Sequence, residues 1–89
     1  MKLKEGFTLR TICGESVVVG EGLAQVNFNK MLSLNASAAY LWKSVEGKEF
    51  TLDTLVTLLT DKYDVSPERA REDAAKVVEV WVREGVAEA

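Results

Sequence analysis

The chain has 89 residues, 47% of them hydrophobic and 28% charged, so its length allows a single core and its composition excludes disorder as the default. Eleven basic and fourteen acidic residues leave a net charge of -3, which disfavours a phosphate-backbone ligand. One cysteine and no histidine exclude an internal disulfide, the usual zinc constellations and any catalysis built on an imidazole.

The first half of the chain reads as strands. Phe7 to Cys13 alternates, with Phe7, Leu9, Thr11 and Cys13 on one face and a slip at Ile12. Gly14-Glu15 is expected to turn as a type II′ hairpin into a second strand over Ser16 to Val19. After the turn residues Gly20, Gly22 and Asn27, a third strand is expected over Phe28 to Leu34, with Phe28, Lys30, Leu32 and Leu34 alternating against Asn29, Met31 and Ser33.

The second half reads as three helices, each opened by a capping residue behind an apolar one. Asn35 caps the first, which carries Ala38, Leu41, Trp42 and Val45 on one stripe and stops at Gly47. Thr51 caps the second, where Phe50 can staple onto Leu55. Ser66-Pro67-Glu68 opens the third with a cap, a proline at its first turn and an acid at its positive end, and Gly85 ends it. Three strands followed by three helices with short connections give an α+β, winged helix-turn-helix-like domain spanning residues 1–89. No apolar run is long enough to span a bilayer and Met1 to Gly6 lacks a signal-peptide centre, so no membrane partner and a cytoplasmic location are expected.

An enzyme lacks its parts here. Cys13 reads as a small hydrophobe at a strand end, Glu72 and Asp73 diverge by about 100° on a helix, and the glycines at 14, 20 and 22 fit no phosphate-binding spacing. No cofactor is expected. A winged helix raises DNA binding as the alternative, yet the third helix holds four bases (Arg69, Arg71, Lys76, Arg83) against five acids (Glu68, Glu72, Asp73, Glu79, Glu84), a balance that does not favour phosphates.

The surplus on that helix is apolar. Ala70, Ala74, Val77 and Trp81 suffice to seal a core, while Ala75, Val78 and Val82, joined by Arg71, extend the apolar face to about 160°. One reading is a deeper core. The other is a groove beside the third strand, whose edge an extended peptide could join as a fourth strand. Asn29, Lys30, Met31, Leu32 and Ser33 would then supply main-chain pairing, Met31, Leu32, Ala75, Val78 and Val82 the apolar contact, and Arg71 a partner for an acid. The same edge could instead pair with itself in a homodimer.

The run Leu34-Asn35-Ala36-Ser37-Ala38-Ala39-Tyr40-Leu41-Trp42 with Glu46-Gly47, followed by Phe50-Thr51-Leu52, Leu55, Leu59, Tyr63-Asp64-Val65-Ser66-Pro67-Glu68, Asp73 and Gly85, resembles the PqqD family, named for a protein of pyrroloquinoline quinone biosynthesis. The resemblance implies a RiPP recognition element, a small winged-helix domain that binds the leader of a ribosomally made precursor peptide. Such a domain holds the leader between its third strand and third helix and presents it to a modifying enzyme, often a radical SAM enzyme. Most of the matched residues are caps and core positions, so the resemblance bears more directly on fold than on role.

Overall fold

A computed structural model describes residues 1–20 and 32–88. Their elements run β1 (Lys2–Leu3), β2 (Phe7–Ile12), β3 (Glu15–Gly20), β4 (Leu32–Leu34), α1 (Ala36–Val45), α2 (Leu52–Lys62), α3 (Pro67–Arg83) and β5 (Ala87–Glu88). β2, β3 and β4 form an antiparallel sheet in that order, and the three helices pack against it in the α+β arrangement read from the sequence.

The hairpin between β2 and β3 turns one residue earlier than expected. Ile12 pairs with Glu15, and the two loop residues, Cys13 and Gly14, both have positive φ, 53° and 79°. That is the signature of a type I′ turn rather than II′, and its twist matches that of the flanking strands. The register explains the choice: it sets Leu9 opposite Val18, whereas a Gly14-Glu15 loop would have set Leu9 opposite Gly20. Cross-strand apolar contact offsets the roughly 1 kcal/mol of strain at Cys13.

The helices start where their caps place them. The Asn35 side chain accepts from the Ala38 N–H at 2.8 Å. Thr51 and Thr54 form a reciprocal capping box, and Ser66 Oγ accepts from the Arg69 N–H at 3.2 Å ahead of Pro67. Four otherwise unbonded helix-end donors, the N–H groups of Ala38, Thr51, Thr54 and Arg69, are satisfied this way. α3 ends in a Schellman motif: the Gly85 N–H donates to the Val82 carbonyl and the Val86 N–H to that of Trp81, with Gly85 at φ 77°. Val86 is fully buried, so the turn that stops the helix also returns the chain to the core.

That core centres on two tryptophans. Trp42 of α1 and Trp81 of α3, 0% and 1% exposed, meet edge to face with centroids 5.4 Å apart, and Phe50 meets Trp81 in the same manner at 6.3 Å. The Trp42 Nε1–H donates to Glu46 Oε2 at 3.0 Å, so the buried indole keeps its polar bond. Leu55, Leu59, Ala70 and Ala74 close the space between α2 and α3.

Two short strands escaped the sequence. β1 pairs antiparallel with β5, Lys2 opposite Glu88 and Leu3 opposite Ala87. Met1 and Phe50 exchange backbone bonds in both directions at 2.7 and 2.8 Å, and the Lys4 N–H donates to the Val86 carbonyl. The chain ends are thereby clasped against the segment joining α1 to α2. No helix among the described residues is long and apolar enough to cross a membrane.

Candidate functional site

β4 is bonded to β3 on one side and, among the described residues, has no strand on the other. The direction in which its backbone points follows from the hairpin. In a two-residue I′ hairpin the residues flanking the loop are a hydrogen-bonded pair, and bonded and non-bonded pairs then alternate along the ladder. Ile12 with Glu15, Arg10 with Val17 and Thr8 with Val19 are therefore the bonded pairs, so Glu15, Val17 and Val19 turn their main-chain groups toward β2. Ser16 and Val18 turn theirs the other way, toward Leu34 and Leu32 of β4. Ser33, opposite Val17 in a non-bonded pair, must then direct its N–H and carbonyl away from the sheet, toward the open edge.

Beside that edge runs a groove lined by Ser33, Leu34, Asn35 and Ala38 on one side and by Lys76, Val77, Val80 and Trp81 of α3 on the other. Its lining is mainly apolar, with Trp81 as its buried base and the hydroxyl, amide and ammonium groups of Ser33, Asn35 and Lys76 at its rim. A second hollow, lined by Gly14, Glu15, Ser16 and Ala36, continues from the first through Ser33, Leu34 and Asn35. Among the described residues, the site thus places a strand edge without a partner, an apolar trough and the Lys76 ammonium side by side. It offers an extended segment of chain main-chain pairing along one side and hydrophobic burial along the other.

The residues expected at the site divide into three groups. Asn29, Lys30 and Met31 lie outside the described residues. Leu32 and Ser33 are on β4, where Leu32 packs against the core and Ser33 is exposed. Arg71, Ala75, Val78 and Val82 occupy the flank of α3 opposite the groove. Arg71 Nη2 donates to Asp53 Oδ1 of α2 at 2.6 Å, Val78 is partly buried against the core, and Val82 is 39% exposed. At about 100° per residue Lys76 and Val80 fall on the other flank, with Ala70, Ala74, Val77 and Trp81 between the two. The periodicity of α3 correctly separates its core stripe from an apolar flank. It does not say which flank adjoins the sheet, and the more apolar of the two is the one turned away.

The fold is shared with a solved structure described as "TbiB1 in Complex with the TbiA(beta) Leader Peptide": the TM-score is 0.77 at 18% identity, covering 100% of this chain and 96% of that one. No curated protein matches the chain in sequence. The model of the family described as "Coenzyme PQQ synthesis protein D (PqqD)" matches residues 15–87, from the start of β3 to the start of β5. With the LN-x-S-A-x-x-L-W run, the capped helices and the Gly85 stop all falling where the fold needs them, the chain belongs to the PqqD family.

Proposed function

We propose that this chain is a RiPP recognition element, which captures the leader segment of a ribosomally made precursor peptide without catalysing a reaction and presents it to a peptide-modifying enzyme, a radical SAM enzyme being the foremost candidate. The leader joins the sheet as a strand beside β4, paired through Ser33, and lays its apolar side chains on Val77 and Val80. The observation that carries the reading is the outward main chain of Ser33 at the rim of an apolar groove. The likeness in fold to a protein solved with its leader peptide supports it. Precursors of this kind are made by ribosomes, so the proposed place of action is the cytoplasm.

The test uses fluorescently labelled synthetic peptides matching the N-terminal segments of short reading frames that neighbour the chain's gene. One of them should bind with micromolar or tighter affinity by fluorescence anisotropy and should lose binding on Val80→Asp, with no shift of duplex DNA in a gel. Binding of DNA that weakens steeply with salt, without affinity for any of the peptides, would instead make α3 a reader of phosphates. Dimerisation that buries the β4 edge and competes with no peptide would assign the edge to self-pairing.

A further inference from the structure

Three of the four bases on α3 are held in ion pairs: Arg69 with Asp73 at 3.5 Å, Arg71 with Asp53 at 2.6 Å, and Arg83 with Glu79 and Glu84 at 3.8 and 3.9 Å. Lys76 has no ion pair among the described residues, although Glu72 and Asp73 stand about one turn before it. It is also the base of α3 that lines the groove, and among the described residues no carboxylate lines that groove beside it. An ammonium left without a counter-charge at the rim of an apolar trough favours a ligand that brings an anion to that point.

Geometry sets where on the ligand that anion sits. In a strand laid along β4, side chains facing the groove recur at every second residue, about 6.6 Å apart. Lys76 and Val80 share one face of α3 and stand one turn apart, about 6 Å along the axis. For a strand running along the α3 axis the two spacings agree. Resting on the strand-addition reading of this site, we propose that the segment the groove selects carries an acidic side chain two residues from a large apolar one, the acid paired with Lys76 and the apolar group seated on Val77 and Val80. The adjoining hollow is lined by Glu15, so the acid belongs on the α3 side of the groove, against Lys76, and not toward the hairpin. Lys76 is then a specificity-determining residue, whereas Ser33 supplies pairing that is blind to ligand sequence.

The experiment pans a phage-displayed library of random twelve-residue peptides against the full chain and sequences the captured pool. The expected pool is enriched in Asp or Glu two residues from Leu, Ile, Phe or Met. Against Lys76→Glu the apolar preference should remain while the paired position switches to Lys or Arg. A peptide selected on the parent chain should bind Lys76→Glu about tenfold more weakly and Lys76→Met roughly two- to fivefold more weakly, with the difference shrinking at high salt. Lys76 is exposed, so both variants should melt within a few degrees of the parent, and Lys76→Met serves as the readout should the reversed charge unfold the domain. A pool without acidic bias, or one that Lys76→Glu captures unchanged, overturns the assignment of Lys76 while capture that is lost on Ser33→Pro leaves strand addition standing. Capture indifferent to Ser33→Pro, or no capture at all, overturns the strand-addition reading and this inference with it.

Discussion

Proline placed in β4 separates the two sides of the strand. Leu32 points its N–H at Val18 and Ser33 points its N–H at the open edge, so the two substitutions differ in what they remove. Leu32→Pro deletes a ladder bond and leaves the carbonyl of Val18, a residue 0% exposed, without its donor. One net hydrogen bond at about 0.5 to 1.5 kcal/mol and one unsatisfied buried group at about 1 to 3 kcal/mol give a cost of about 1.5 to 4.5 kcal/mol. For a domain of this size that lowers the melting temperature by at least about 6 °C. Ser33→Pro removes no bond to β3, so its melt should stay close to the parent's. It should nonetheless lose the bound peptide: the donated bond alone is worth about two- to thirteenfold in affinity, and the ring, projecting where the ligand's carbonyl would approach, adds to the loss. Ser33→Ala keeps the N–H and should bind like the parent. Circular-dichroism melts and anisotropy titrations on the three variants decide the matter. A folded Ser33→Pro that binds as tightly as the parent would refute pairing through β4.

The two flanks of α3 can be told apart in the same titration. Val80→Asp should abolish binding at a stability cost of no more than about 2 kcal/mol, whereas Val78→Asp, on the opposite flank, should leave affinity intact; the reverse pattern would move the site to the far flank. Arg71→Ala breaks an exposed pair with Asp53, 54% and 77% exposed, so urea unfolding should shift by less than about 1 kcal/mol and peptide affinity should not change. Trp81→Ala removes a core ring with two edge-to-face partners and should cost roughly 3 to 5 kcal/mol in the same melts. Gly85→Ala meets no atom within 4 Å but inherits φ 77°, and should cost about 1 to 2 kcal/mol through backbone strain alone.

What the sequence reveals tracks how local each determinant is. Asn35, Thr51 and Ser66-Pro67 mark helix starts because a cap involves only the four residues that follow it, and all three open helices in the structure. The hairpin slipped by one residue because Gly14 satisfies both turn types, and only the pairing of Leu9 with Val18 across the ladder chooses between them. β1 and β5 have two residues each; a period of two leaves no trace in so short a segment, and each strand exists because the other end of the chain lies beside it. The open strand edge of the groove was legible, whereas the apolar surplus of Ala75, Val78 and Val82 lies on the flank of α3 turned away from it. The membership of the groove was not legible, since the rotation of α3 is set by how Trp81 packs on Trp42 and Phe50, contacts that a helical wheel does not contain.

The clasp of β1 on β5 bears on the order in which the molecule assembles. The β2–β3 hairpin and the α2–α3 pair join residues close in sequence, but Lys2 meets Glu88 only when nearly the whole chain has been gathered. The entropy of closing so long a loop is unfavourable until the segments between its ends are already in place. Leu3 and Val86, both buried, therefore belong to the last contacts made and the first released. Truncating them should steepen escape from the folded state while leaving the rate of reaching it nearly untouched: in a chevron experiment Leu3→Ala should raise the unfolding limb and barely move the refolding limb. The clasp acts on the lifetime of the folded domain more than on its formation, because the core residues it contributes, Leu3, Val86 and Ala87, are the ones that the two ends of the chain must meet to bury.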